Sequence, residues 1–332
     1  MKFNFKRNFS ECIGNTPIIK LKVASEISGC EIYGKCEFLN PGGSVKDRPA
    51  LQIIKDAIKK KQIEKGGTIV EGTAGNTGIG LCLVGNSIGL NSIIVMPRTQ
   101  SNEKKKMLKL CGAELKLVDA LPYKNPGNYI RYSETLAKSI VNEHGVLWAN
   151  QFDNLSNKKS HYLTTGPEIY KQLSQKVDAF ICSIGTGGTI SGVSDFLKEK
   201  NKNIVIGLAD PMGSAMHNFY KNGKLKSTGS SITEGIGQGR ITRNLENAVI
   251  DESFQITDTE ALNIVYEMVR KEGLILGGSS GVNIMGAVKL GKLIGPNKKI
   301  VTILCDYGTK YESKIFNKKF LKDKELPIPE WL

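Results

Sequence analysis

The chain lacks any run of about 18 consecutive apolar residues, so no membrane-spanning helix is expected. Its opening, MKFNFKRNFSECIGNTP, has early basic residues but no apolar core of a secretory signal, and a cytoplasmic location is the resulting expectation. Histidine is scarce. His144, His161 and His217 are the only three, far apart and without the i, i+4 spacing of a helical zinc site, which argues against a metal centre. The seven cysteines (Cys12, Cys30, Cys36, Cys82, Cys111, Cys182 and Cys305) are odd in number, show no C-x-x-C spacing and sit mostly in apolar stretches. They read as reduced, buried thiols. Internal repeats and low-complexity segments are also missing.

Positive charge is plentiful, with a formal net charge of +14. Such an excess favours nucleic acid or an anionic substrate. Here, however, the lysines are dispersed along helix-like segments such as IKDAIKKKQIEKG and SNEKKKMLKL, mixed with glutamate and with little aromatic interleaving. That pattern fits a solvated surface and not a nucleic-acid groove.

At 332 residues the chain exceeds one ordinary core and suggests two compact lobes. From about residue 50 onward, short β-branched runs alternate with longer amphipathic segments, the pattern of βαβ units around parallel sheets. Strands are predicted at 67–72, 91–97, 113–119, 178–184, 203–210 and 299–306. Helices are predicted to begin near Pro49, Gly75, Ser101, Ser133, Thr165, Ile190 and Thr259, with Leu51, Ile54 and Ile58 sharing one face of the first. The 36 glycines concentrate where predicted strands end, which is where open α/β sheets bind ligands.

Three glycine-rich turns fall there: EGTAGNTGIG, SIGTGGTISG and LGGSSGVN. In the second, Gly185, Gly187 and Gly188 allow a nest of backbone N–H donors. Thr186 and Thr189 add hydroxyls, and the helix that follows favours an anion. No lysine follows these glycines, which excludes a P-loop. A dinucleotide site would find its ribose-binding acid in Asp210 but lacks its third glycine, where Ile190 stands. This motif alone leaves a single phosphate, a dinucleotide and a plain tight turn open. The segment GGSSG matches a hydrolase nucleophile elbow after a short apolar run, yet no histidine follows His217 to complete a triad. Ser279 therefore remains free as a hydrogen-bonding group.

A fourth turn, NPGGSVKDR, sets Lys46 just before a helix, where the macrodipole disfavours a cation. A helix start and partial desolvation both disfavour the charged form of a lysine and favour a reactive amine. Together with a phosphate cup, a serine at a third turn and the loop GTAGNTG, this lysine suits pyridoxal phosphate. That cofactor needs an amine for its Schiff base, a nest for its phosphate and partners for its ring nitrogen and phenolic oxygen.

The motifs IGNTPIIKL, NPGGSVKDR, EGTAGNTGIG, QFDN, GTGGTISG, EGIGQGRI and GGSSG stand in an order that resembles the cysteine synthase and cystathionine β-synthase family of pyridoxal-phosphate enzymes. The likeness runs from about residue 10 to residue 310, with no haem-binding extension or regulatory tail expected around it. It implies fold type II, a two-lobed, three-layer αβα architecture with mostly parallel sheets, similar to the tryptophan synthase β subunit. Residues 46–150 would form the smaller lobe, residues 1–45 and 151–332 the larger, and the cofactor would lie in the cleft between them. A homodimer is implied as well.

Carried onto this sequence, the resemblance makes Lys46 the Schiff-base lysine and Asn76 the donor to the phenolic oxygen. Gly185, Thr186, Gly187, Gly188 and Thr189 become the phosphate loop, and Ser279 the partner of the pyridine nitrogen. Thr73, Thr77 and Gln151, with the backbone of Ala74 and Gly75, would clamp the substrate carboxylate, and Gly235 and Arg240 would border the substrate. The implied reaction replaces the acetoxy group of O-acetyl-L-serine by sulfide through an aminoacrylate, giving L-cysteine and acetate. A desulfhydrase or lyase, or replacement by another thiol, is the alternative. Two positions depart from the commoner pattern. Ala74 stands where a serine is usual, and Arg240 stands where phenylalanine is common. Two readings remain open for Arg240: a guanidinium paired with solvent or an acidic neighbour, or a contact for an anionic substrate group.

Overall fold

The structure, a computed structural model, describes residues 5–332, so the first four residues of the leader reading lie outside it. Among the described residues ten strands form two sheets. They are β1 (Ile18–Lys20), β2 (Glu31–Cys36), β3 (Thr68–Gly72), β4 (Asn91–Pro97), β5 (Glu114–Val118), β6 (Val146–Trp148), β7 (Ala179–Cys182), β8 (Val205–Pro211), β9 (Glu252–Ile256) and β10 (Lys299–Leu304). One sheet has the order β1-β2-β10-β7-β8-β9 and the other β5-β4-β3-β6. Only β1 pairs antiparallel, with β2; every other pairing is parallel. A parallel ladder needs cover on both faces, and β3 and β7 are accordingly buried along their whole length.

All six predicted strands are present, within about two residues at each end. β1, β2, β6 and β9 went unpredicted. β1 and β6 are three residues long, and β2 (EIYGKC) and β9 (ESFQI) carry charge within short runs, so neither offered a clear apolar signal.

The first long helix, Asp47–Lys59, buries Ala50, Ile53, Ile54 and Ala57, an i, i+3, i+4, i+7 stripe. Ile58 was expected on this face but is 41% exposed, and Leu51 is only half-buried. Ile54 is buried as expected, and Ala50, Ile53 and Ala57 complete the stripe in place of Leu51 and Ile58. The helix expected near Ser133 spans Tyr129–Ser139, because the Asn128 side chain accepts from Ile130 N at 3.0 Å and caps it earlier. Near Thr165 the helical path already starts at Ser156 and passes through a π turn, His161–Thr165, before Gly166–Gln172. The apolar run before GGSSG is no strand. It makes one isolated bridge, Leu276 with Tyr307, and leads into the helix Gly278–Ile294, so the geometry of a nucleophile elbow is missing.

One buried ionic network joins distant parts of this fold. Arg48 bonds Glu37 through Nε at 2.7 Å and Nη2 at 2.8 Å, and bonds Glu168 through Nη1 and Nη2 at 2.7 Å each. Lys35 Nζ reaches Glu168 at 2.7 Å and the Thr16 carbonyl at 2.6 Å. Two cations thus meet two carboxylates whose oxygens are further satisfied by Thr16 Oγ1 and Asn40 Nδ2. Burial alone would raise the Glu168 carboxyl, but Arg48 and Lys35 outweigh it and hold it down at about 2.

Removing one partner leaves an uncompensated buried charge. Arg48→Met is therefore expected to cost about 3–5 kcal/mol, read as a lower urea midpoint. Because the Glu168 carboxyl is depressed in the folded state, its contribution is present above the ordinary carboxylate range and is lost as pH falls toward about 2. Glu168→Gln should flatten that acid limb of the stability profile.

Candidate active site

The carboxyl ends of the parallel strands converge on one cleft of about 580 Å³. β3 ends at Gly72 and delivers Thr73, Ala74, Gly75, Asn76 and Thr77; β6 leads to Gln151; β7 leads to Gly185 and Thr186. Lys46, Ser279, Gly235 and Arg240 line the same cleft. A smaller recess beside it is shared by Lys46, Gly185, Thr186, Gly187 and Thr189. Gly188, which lines neither, opens the helix Gly188–Lys200. All the site residues expected from the sequence thus gather at one place.

Lys46 is the N-terminal flanking residue of the helix Asp47–Lys59 and is half-buried. Its backbone N–H donates to Ser44 Oγ at 3.2 Å, and the neighbouring Val45 N–H donates to the Cys305 carbonyl at 2.9 Å, just beyond β10. Its ammonium has no hydrogen bond or ion pair among the described residues, so the side chain is left to face the cleft. The acidic residue that does complement this helix start is Asp47, whose carboxylate accepts from Gly42 N at 2.6 Å and tightens the glycine turn. Burial pushes that carboxyl up to about 7.

The loop after β7 is built for close approach. Gly187 takes φ +85° where the helix starts, and a Cβ there would meet Leu245 Cγ at 2.4 Å. A Cβ on Gly188 would lie 2.1 Å from Asn157 Oδ1. The helix Gly188–Lys200 leaves its first N–H groups without intrahelical partners, which supplies an anion site. Asn157 and Thr242 lock the loop. Asn157 Nδ2 donates to Thr186 Oγ1 at 2.8 Å, and Thr242 Oγ1 donates to the Thr186 carbonyl at 2.8 Å. His161 lies beneath with its Nε2 3.2 Å from Thr189 Oγ1; burial and the nearby Arg48 and Lys46 charges hold its pKa well below the ordinary value. Asp210, weighed as a ribose-binding acid, instead accepts from His217 N at 2.7 Å, and burial raises its carboxyl to about 6.

Thr77 Oγ1 and Gln151 Oε1 are hydrogen-bonded across the cleft floor, while Asn157 and Asn244 both donate to the Gln151 carbonyl at 2.9 Å. Behind them lies Glu71, fully buried, its Oε1 3.4 Å from Gln151 N and its Oε2 without a partner among the described residues. Burial pushes this carboxyl up to about 8 against the pull of the Gln151 and Asn150 N–H groups. Ser279 sits at the start of the helix Gly278–Ile294 and is 5% exposed. Next to it Ser280 Oγ accepts from Cys305 N at 2.9 Å. Cys12 is exposed and Cys305 half-buried; the other five thiols are buried, and all seven are free.

Arg240 lines the cleft and is also paired. It grips Asp153 bidentately at 3.0 and 2.8 Å, and its guanidinium carbon lies 4.6 Å from the Tyr123 ring centroid. Asn76 is likewise engaged on its far side, with Nδ2 donating to Asp306 at 2.7 Å and Oδ1 accepting from Lys310 at 3.1 Å. Sequence reading missed Asn157, His161, Thr242, Asn244, Asp306 and Lys310. Thr242 directly follows EGIGQGRI, and Asn157 and Asn244 lie three residues beyond QFDN and EGIGQGRI, yet none stands in a pattern that separates it from an ordinary polar residue.

The family described as "Pyridoxal-phosphate dependent enzyme" matches residues 9–306. The chain is 47% identical over 333 residues to cysteine synthase 1 of Neurospora crassa, covering 98% of this chain and 88% of that one. It is similar in structure to an O-acetylserine-dependent cystathionine β-synthase from Helicobacter pylori, with a TM-score of 0.85 at 32% identity over 93% of this chain and 98% of that one. A hydrogen sulfide-producing enzyme from Fusobacterium nucleatum matches with a TM-score of 0.83 at 35% identity, over 92% and 100% of the two chains.

Glu71 gives a pH test independent of turnover. Its folded-state pKa lies above the ordinary carboxylate value, so the stability it contributes is fully present below that value and is lost as pH rises through about 8. In Glu71→Gln, thermal midpoints measured from pH 5 to 9 should lose this alkaline decline.

Proposed function

The chain belongs to the family of pyridoxal-phosphate dependent enzymes, and from that premise we propose that it synthesises cysteine, replacing the acetoxy group of O-acetyl-L-serine by sulfide. The observation that carries this reading is the meeting, in one cleft, of an unpaired lysine amine, a glycine loop at a helix start and the Ser279 hydroxyl. These residues fit the cofactor. Lys46 would hold it covalently, and the 185–189 loop would hold its phosphate with the unpaired N–H groups at the start of the helix Gly188–Lys200. Ser279 would bond its ring nitrogen and Asn76 its phenolic oxygen.

Bound pyridoxal phosphate supplies the electron sink that lets a substrate lose its α-proton and β-substituent. Thr73, Thr77, Gln151 and the N–H groups of Ala74 and Gly75 hold the substrate carboxylate. Lys46 Nζ takes the proton from the α-carbon as acetate leaves, and returns it after sulfide adds at the β-carbon. Ser279 offers a neutral hydroxyl and not a carboxylate, which moderates the sink and suits β-replacement over transamination. Ala74 leaves the carboxylate loop one hydroxyl short, so backbone donors carry more of that contact.

The division into a smaller lobe of residues 46–150 and a larger one of residues 1–45 with 151–332 is supported, over the described residues, by the separate sheets β5-β4-β3-β6 and β1-β2-β10-β7-β8-β9. The protein acts as a homodimer in the cytoplasm. Both follow from the resemblance to the family; no described helix is long and apolar enough to cross a membrane. Sedimentation of the purified protein tests the dimer.

In the deciding experiment, cofactor-loaded protein is mixed with O-acetylserine and then sulfide, and cysteine is assayed. Homocysteine in place of sulfide tests the thiol-using alternative. Lys46→Ala should abolish turnover with the fold retained by circular dichroism; near-normal cysteine formation would remove Lys46 from the mechanism. Ser279→Ala should weaken cofactor binding or turnover only modestly, since one neutral hydrogen bond contributes about 0.5–1.5 kcal/mol.

Arg240 borders the substrate path with its charge partly offset by Asp153. Arg240→Phe should lower kcat/KM a few-fold for O-phosphoserine or a carboxylate-bearing thiol while sparing the acetylserine and sulfide pair. Equal changes for charged and uncharged substrates would assign the guanidinium to Asp153 alone.

A further inference from the structure

Lys310 is a cation beside the cleft that no step above uses. It lies in the short turn Gly308–Tyr311 beyond β10, and its Nζ donates to three oxygens: Gly42 O at 3.1 Å, Gly43 O at 3.0 Å and Asn76 Oδ1 at 3.1 Å. The first two belong to the glycine turn before Lys46. The third belongs to the amide at the start of the helix Asn76–Asn86. On the other side of that amide, Nδ2 donates to Asp306 Oδ2 at 2.7 Å, and Tyr311 OH donates to the same oxygen at 2.7 Å. Burial disfavours the charged form of Lys310, while Asp306 and Asp47 favour it.

The chemistry of the donors fixes the amide. An ammonium only donates and a carboxylate oxygen accepts, so the Asn76 carbonyl must turn to Lys310 and its NH2 to Asp306. One hydrogen on Nδ2 is engaged by Asp306, which leaves the second for the cleft that Asn76 lines. With the amide reversed, the cleft would be offered a carbonyl in place of a donor.

We propose that Lys310 is a positioning residue: its ammonium ties the glycine turn before Lys46 to the Asn76 amide and, with Asp306, presents an N–H of Asn76 to the phenolic oxygen of the cofactor. This rests on the cofactor assignment proposed above. Three oxygens at about 3 Å around one ammonium also form a cage that a small free cation accepts, as carbonyl oxygens do when they replace a hydration shell. Lys310 therefore acts as a built-in monovalent cation, and cutting back its side chain opens a cage that ammonium can fill.

The test uses apo-protein of the wild type, Lys310→Ala, Asn76→Ala and the double variant, each titrated with pyridoxal phosphate. Cofactor affinity and the visible absorption band are read in sodium, ammonium or tetramethylammonium chloride at equal ionic strength, with circular dichroism to follow the fold. Lys310→Ala is expected to bind the cofactor about tenfold more weakly in sodium, with an altered band. Ammonium should restore both and tetramethylammonium neither. In the Asn76→Ala background the Lys310 replacement should weaken binding by a clearly smaller factor, because part of its effect passes through that amide. Equal losses in the two backgrounds, or a loss that ammonium leaves unchanged, would overturn the proposal. Should Lys310→Ala not fold, Lys310→Ser, which likewise vacates the cage, is judged by the same two criteria. A wild-type protein that takes up no pyridoxal phosphate would instead overturn the functional reading itself.

Discussion

The rest of the structure depends on a charge balance hidden beneath the site. Arg48, two residues past Lys46, is held on both sides by carboxylates, Glu37 just beyond β2 and Glu168 in the helix Gly166–Gln172. A buried guanidinium with five donors tolerates few positions once two carboxylates grip it bidentately. The start of the helix Asp47–Lys59 is therefore pinned to elements that belong to the other sheet, and the direction in which Lys46 leaves the backbone is pinned with it. Lys35, buried and bonded to Glu168, brings the cluster to neutrality. Ion pairs of this kind seldom add much stability over an apolar packing of equal shape. Their value here is positional, since an apolar plug would permit small rotations of the helix start that a bidentate network does not.

The same principle recurs around the cleft in uncharged form. Side-chain amides do the fastening: Asn157 bonds both the Gln151 carbonyl and Thr186 Oγ1, Asn244 bonds the carbonyls of Gln151 and Phe152, and Asn283 joins Ser183 N to the Ile303 carbonyl. Asn157 connects the loop after β6 to the loop after β7, Asn244 fastens the loop after β6, and Asn283 joins β7 to its neighbour β10. Strand ends that come from separate sheets are thus held in register by polar groups whose bonds have fixed directions, and the backbone donors facing the cleft inherit that order. Glu234 adds an ionic counterpart by bonding Lys104 and Lys314, so the helix Asn102–Leu110 is fastened to the chain beyond β10.

Much of this was legible in the sequence, and the limits have physical causes. Strands buried on both faces, such as TIVEG and NSIIVMP, announce themselves because parallel ladders demand continuous apolar character. The glycines of the loop after β7 were readable as a cradle because they cluster between an apolar run and a helix start, where backbone N–H donors can gather. Lys46 stood out by violating helix electrostatics. The clamp around these groups was not readable. Asn157, Asn244 and Thr242 are ordinary polar residues whose roles arise only from contacts across long sequence separations. Asp306 and Lys310 follow a strand whose apolar pattern drew attention away from its polar exit. The stripe on the helix Asp47–Lys59 was misjudged for a related reason: Ala50 and Ala57 are small enough to lie against a neighbouring helix, and composition does not distinguish a packing alanine from a spacer.

The pairing of β2 with β10, Glu31–Cys36 beside Lys299–Leu304, bears on how the chain matures. β2 lies inside its sheet, between β1 and β10, and its central partner is made almost last. At roughly 5–20 residues per second of synthesis, β2 waits on the order of tens of seconds with one ladder edge unfilled. The sheet β5-β4-β3-β6, drawn entirely from residues 68–148, can close while the remainder is still being made. The nascent chain must therefore carry an open, partly apolar edge through most of its elongation, an interval in which a chaperone could engage it, and the cleft cannot be completed until translation has passed β10.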